Sequence, residues 1–152
     1  MAICRVGVWH NGGMEVLDLA MLDEAIGIKS KSDFELAEIV ENGLPTATLA
    51  MLKQHGISFT EVSAVVISPR TLKHRKARGE QLSDEETDRL VRVARIMMLA
   101  DMVFGNHEKA LQWLRTPSDR LTGRTPISML RTDVGGRVVE NRLWQIDEGV
   151  FA

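Results

Sequence analysis

Residues 58–79 read SFTEVSAVVISPRTLKHRKARG, and this stretch decides the fold. Ser58 followed three residues later by Glu61 is a capping box, in which hydroxyl and carboxylate each satisfy an amide that the first helical turn leaves open. Phe59, Val62, Val65 and Val66 then recur at helical spacing. Ile67 leads into Ser68-Pro69, a cap followed by proline at the first helical position, where a missing N–H costs nothing. A second helix runs to about residue 77, and Gly79 ends it. Two capped helices with a tight Ile67-Ser68 link, the second one basic, have the layout of a helix-turn-helix.

At about 100° per residue, Arg70, Lys73, His74 and Ala77 fall on one stripe and Leu72 on the opposite side. Leu72 is therefore expected to anchor the helix while the stripe faces a groove. Lys and Arg there neutralise phosphates, and Arg also reaches guanine bidentately. A plainer reading stands beside this one: RTLKHRKAR is a solvated helix face, with Arg70 paired to Glu86 or Asp88 of the next helix. The run holds five basic residues and no acid, and the preceding helix has the right length, which favours DNA.

Working outward, residues 46–55 read as a helix carrying Leu49 and Leu52, closed by Gly56. Residues 34–40 fit helix or strand. Residues 14–28 form a helix with a loose apolar face (Val16, Leu17, Ala20, Met21, Ile26, Ile28), and 29–32 a solvated linker. Residues 2–8 suit a short strand before an Asn11-Gly12-Gly13 turn. Downstream, Ser83 and Glu86 form a second capping box, with Asp84 and Glu85 suited to the positive helix terminus. That helix reaches residue 104, roughly 33 Å at 1.5 Å per residue. Its end, IMMLADMVF, is apolar almost all round and must be covered on every side, which places the junction of two lobes there. Helices over 107–115, from Thr125-Pro126, and over 138–148 follow, with Gly135-Gly136 expected to break the chain between the last two. The expected fold is all-α: a helix-turn-helix lobe followed by a small helical lobe, joined through a long shared helix. The divisions are an arm over 1–32, a domain over 33–104 and a carboxyl-terminal domain over 105–152.

Composition agrees. The 152 residues lack Tyr and hold four Pro, a bias toward helix. The net charge of −2 hides an uneven distribution, basic over 70–78 and acidic over 80–88, so nucleic acid is engaged by one patch rather than by the whole surface. Cys4 is the single cysteine, which leaves no intrachain disulfide or thiolate cluster, and no base is placed to make it a nucleophile. The four His are scattered without ligand spacing, so no metal site is expected. Residues 3–9 are too short for a signal peptide or membrane span, and a reducing cytoplasm is the expected location. No nucleophile with an oriented base and no phosphate loop appears, so neither an enzyme nor a cofactor is expected.

Arg70-Thr71-Leu72, then Leu82-Ser83-Asp84-Glu85-Glu86 and Asp88-Arg89-Leu90, resemble the Xre/MbcA/ParS-type antitoxins. Phe104-Gly105-Asn106, Lys109-Ala110, Trp113-Leu114, Thr125-Pro126, Met129-Leu130 and Glu148-Gly149 continue the resemblance in order, over about residues 33–152. It implies an antitoxin paired with a RES-domain toxin, a NAD-consuming enzyme, whose active site the carboxyl-terminal domain occludes. It also implies a helix-turn-helix that binds the operon's own promoter. Arg70, Thr71, Lys73, His74, Lys76 and Arg78 then lie on the DNA-reading helix. Trp113, Leu114, Thr125, Pro126 and Leu130 are mostly core. The end of the chain, Gln145 with Glu148, Gly149, Val150, Phe151 and Ala152, is the plug into the toxin, with Phe151 buried and Glu148 or the terminal carboxylate meeting a cationic site. Without the resemblance, an apolar tail reads as folding back on its own helix or as disorder. Trp144 and the Met97, Met98, Met102 cluster read first as packing, with a dimer or toxin groove the lesser alternative for the methionines. A homodimer within a larger toxin–antitoxin complex is expected, since operator half-sites are usually read by two-fold dimers. The competing reading is a plain dimeric transcriptional regulator without toxin inhibition. The arm over 1–32 matches nothing.

Overall fold

Local capping decides where most helices begin, and the structure, a computed structural model, describes residues 16–149. The helices run α1 (Val16–Ile26), α2 (Asp33–Asn42), α3 (Leu49–Gln54), α4 (Phe59–Val65), α5 (Pro69–Arg78), α6 (Asp84–Phe104), α7 (His107–Arg115), α8 (Pro126–Met129) and α9 (Asp133–Asp147). Short 3-10 turns, Thr46–Thr48 and Asp119–Leu121, precede α3 and α8. No strand occurs among the described residues. The expected strand over 2–8, the turn at 11–13 and Cys4 lie outside the described residues. The segment left open between helix and strand is α2: the Ser32 hydroxyl accepts the Glu35 amide at 3.1 Å, and Asp33 and Glu35 suit its positive end.

The 21-residue α6 is the axis, with α1, α2, α7 and α9 all packed on it. Leu90, Val93, Ala94, Ile96, Met97 and Ala100 are buried along its length, in one core continuous from Leu22 of α1 to Leu143 of α9. Truncating any of these leucines to alanine removes buried area and leaves a cavity, at a cost of about 2–5 kcal/mol. The last turns of α6 depart from expectation at one place. Covering on every side fails at Met102, which is 45% exposed.

Gly135 and Gly136 do not break the chain; this expectation is corrected. Both are buried within the first turn of α9. The Thr132 hydroxyl accepts the Gly135 amide at 3.1 Å and starts the helix ahead of both glycines. The glycines serve close approach rather than termination. A Cβ on Gly135 would stand 2.0 Å from the Met129 carbonyl oxygen, and one on Gly136 2.8 Å from Cδ of Arg92. Arg92 uses that space: it pairs with Asp88 and donates to the Leu130 carbonyl at 3.1 Å, tying α6 to the end of α8.

Among the described residues, no helix is long and apolar enough to cross a membrane.

Candidate functional site

The α4–turn–α5 unit is built by local caps. The Ser58 hydroxyl accepts the Glu61 amide at 3.2 Å while the Glu61 carboxylate accepts the Ser58 amide at 2.7 Å, the full capping box. Val62, Val65, Val66 and Ile67 are buried, so the link between the helices is held from beneath. Arg89 of α6 fixes it from the side, donating to the Val66 carbonyl at 3.3 Å. The Ser68 hydroxyl then accepts the Thr71 amide at 3.2 Å, Pro69 occupies the first turn of α5, and Gly79 closes the helix at φ +65°.

On α5, Leu72 is buried at 7% exposure, whereas Arg70, Lys73, His74, Lys76 and Arg78 are exposed. Arg70, Lys73 and Lys76 take part in no ion pair among the described residues, which leaves their charges available to a polyanion. Arg78 lies 3.9 Å from Glu80 with 71% of its side chain exposed. Thr71 stands apart from the other five. Its hydroxyl accepts from the Ser68 hydroxyl at 2.8 Å, so part of its hydrogen-bonding capacity is spent inside the cap.

The acids of α6 do not reach Arg70. Glu86 pairs with Arg75, with Nε 2.7 Å from one carboxylate oxygen and Nη2 donating to the other at 3.1 Å. Asp88 pairs with Arg92. Arg75 sits about 140° around the helix from Arg70, toward the Leu72 side, which explains its inward turn. The Glu86 carboxylate also accepts the Ser83 amide at 2.8 Å, so one buried acid caps α6 and anchors α5. The hydrogen bond that Arg75 donates to Glu86 raises the arginine's pKa above its usual value.

The carboxyl-terminal helices are positioned by α7. The Asn106 side chain accepts the Lys109 amide at 2.9 Å to start it, Leu114 is buried, and Trp113 tilts against Phe104 with ring centres 5.7 Å apart. Thr125 caps α8, and Pro126 and Leu130 are buried. Toward the chain end, exposed Gln145 accepts from Arg142 at 2.9 Å, Glu148 is the exposed cap residue of α9, and Gly149 follows at φ +73°. Val150, Phe151 and Ala152 lie outside the described residues.

Sequence reasoning misses a clamp between α4 and α7. Arg115 donates to both oxygens of Glu61, at 2.6 and 2.9 Å, and to the Gly56 carbonyl at 2.6 Å. At the other end of α7, His107 bridges the Asp101 carboxylate, at 2.8 Å from Nδ1, and the His55 carbonyl, at 2.9 Å from Nε2. Burial pushes the Glu61 pKa up, but the bonds from Arg115 and the Ser58 amide outweigh it and hold the carboxyl below its usual value. The same bond raises the Arg115 pKa. No sequence signal marks partners 54 positions apart, and the spacing of Glu61 speaks only for its local cap.

Comparison with known proteins yields two family matches along the chain. Residues 35–95 match a family described as the antitoxin Xre-like helix-turn-helix domain. Residues 99–149 match one described as the antitoxin Xre/MbcA/ParS C-terminal toxin-binding domain. The chain is 40% identical over 118 residues to Antitoxin Xre of Pseudomonas putida, covering 78% of this chain and 74% of that one. It is 30% identical over 131 residues to Antitoxin Xre of Photorhabdus laumondii, covering 84% and 88%. Over 98 residues, 59% of this chain and 62% of the other, it is 34% identical to the "Prs ADP-ribosylating antitoxin" of a Sphingobium species.

Proposed function

The chain belongs to the Xre/MbcA/ParS-type antitoxins, with a helix-turn-helix domain and a toxin-binding domain, and on that premise we propose that it neutralises a RES-domain, NAD-consuming toxin and represses its own operon. The stripe Arg70, Lys73 and His74, flanked by Lys76 and Arg78, reads the promoter, acting in the cytoplasm. Gln145, Glu148 and Gly149, with the following Val150, Phe151 and Ala152, occlude the toxin's active site. Two copies read two half-sites one helical turn apart. Such a protein binds and blocks; it performs no chemistry of its own.

The observation that carries this reading is α5 itself. Its inner side is committed to the fold through Leu72 and Arg75, while on its outer side Arg70, Lys73 and Lys76 take part in no ion pair among the described residues. The name of the Sphingobium relative mentions ADP-ribosylation, a reaction that takes its ADP-ribose from NAD, and this agrees with a system built around NAD consumption.

The test is to co-express the chain with the product of the neighbouring gene, purify the complex, and measure NAD consumption with and without the antitoxin, beside gel shifts on the operon promoter. Inhibition that vanishes when residues 148–152 are deleted, with promoter binding retained, is the expected result. A partner enzyme that stays fully active in the presence of the intact chain refutes the antitoxin mechanism and leaves a plain regulator.

A further inference from the structure

The face built by α1, α6 and α9 carries an apolar patch at the margin of the core, where Met98 and Trp144 pack against the buried residues and Met102 is left exposed. Met102, near the end of α6, is 45% exposed, and Met21, Met98 and Trp144 stand half-buried around it. Together they wall a recess of about 30 Å³, rimmed by Arg95 and Glu140, which pair at 3.1 Å. A recess of this size admits the tip of one side chain and excludes a cofactor. Methionines suit the task, since their unbranched, polarisable chains adapt to an incoming surface.

Position along α9 indicates what covers the patch. Glu140, Trp144 and Glu148 are successively four residues apart, so about 40° of rotation separates neighbours and they form one gently turning line. The line begins at the recess rim and ends at Glu148, where α9 gives way to the chain's last residues. Met102 and Trp144 fall within the residues matched as a toxin-binding domain, whereas Met21 and Met98 fall outside them.

We infer that Met21, Met98, Met102 and Trp144 form a docking surface for the partner enzyme, continuous with the carboxyl-terminal face, and that the recess seats one protruding apolar side chain of that enzyme. The inference rests on the toxin-neutralising reading and extends it: the contact reaches beyond the matched domain onto α1. Continuity with Glu148 favours the enzyme over a second copy of this chain. A two-fold pairing sets the same patch against itself and brings each acidic line toward its own copy.

The test uses the full chain with the enzyme encoded beside it. Affinity is measured by calorimetry for wild type, Met102→Glu, Met102→Gln and Met102→Leu, with promoter gel shifts as the check on folding. Both polar variants are expected to weaken enzyme binding at least about tenfold, Met102→Leu to stay within about twofold, and all to bind promoter normally. If the polar variants bind the enzyme like wild type while deletion of 148–152 still releases it, the patch is overturned and the occlusion reading stands. If the polar variants lose self-association and keep enzyme affinity, the patch belongs to a second copy and the inference is equally overturned. If the intact chain leaves the enzyme fully active, the neutralising reading falls and the patch with it; if the intact chain inhibits but neither the deletion nor any Met102 variant alters affinity, the patch is overturned and inhibition runs through another surface.

Discussion

Two arginines on α5 should separate folding from DNA binding. Arg75→Met keeps the aliphatic stem of the side chain and removes the guanidinium that pairs with Glu86. The Glu86 side chain is 10% exposed, so the variant leaves a mostly buried carboxylate without its cation. Breaking a fully buried pair from one side costs about 3–5 kcal/mol. Here the cost falls at or somewhat below the lower end of that scale, for two reasons. Glu86 still accepts the Ser83 amide at the favourable end of α6, and the Arg75 side chain is itself 23% exposed. A destabilisation of about 2–3 kcal/mol follows, which in a domain of this length lowers Tm by about 4–12 °C. Arg70→Ala, by contrast, removes an exposed side chain with no ion pair among the described residues and should change stability by less than about 0.5 kcal/mol. Thermal melts of Arg75→Met, Glu86→Gln, the double variant and Arg70→Ala complete the comparison, and the double-mutant cycle isolates the pair. A coupling near zero, or an Arg75→Met melt within about a degree of wild type, refutes the assignment of Glu86 as the anchor of α5.

On DNA, Arg70→Ala and Lys73→Ala are expected to weaken promoter binding and to reduce the log–log salt slope by about one for each phosphate no longer neutralised, with melts unchanged; gel shifts across a salt series measure both. Arg115→Ala should cost about 1–2 kcal/mol, since it removes a bidentate partner of Glu61 and the bond to the Gly56 carbonyl together. Because Glu61 has a folded pKa below the usual 4.5, its contribution is complete above that pH and drains away as pH falls through the folded pKa. Melts of wild type and Arg115→Ala should therefore converge on acidification below pH 4.5, and a gap independent of pH excludes the pair as its origin. Gly135→Ala places a Cβ against the Met129 backbone and should destabilise by several kcal/mol, whereas Gly79→Ala, with open space around it, should cost only about 1 kcal/mol through its positive φ; denaturant melts rank the two.

The helix starts were legible because capping is local. Ser58 with Glu61, Ser68 with Pro69, and Ser83 with Glu86 each act within one turn, so spacing along the chain is spacing in the fold. The outward stripe of α5 was legible for the same reason, since helix rotation alone sets Arg70 opposite Leu72. The motif residues Glu86 and Arg89 were legible as a family resemblance, and Glu86 as a cap, but their long-range work was not: one anchors α5 and the other braces the turn before it.

By itself, then, the sequence determined an all-helical chain, the caps that start most of its helices, and the basic helix that reads as a DNA contact, because each depends on neighbours within four residues. Only the tertiary structure decided which arginine faces inward, that Gly135 and Gly136 allow close packing instead of ending a helix, that Arg115 grips Glu61 from 54 positions away, and that Met102 is left uncovered. Each of these turns on what stands opposite a residue in space, and chain order carries no record of that until α6 brings the other helices together around it.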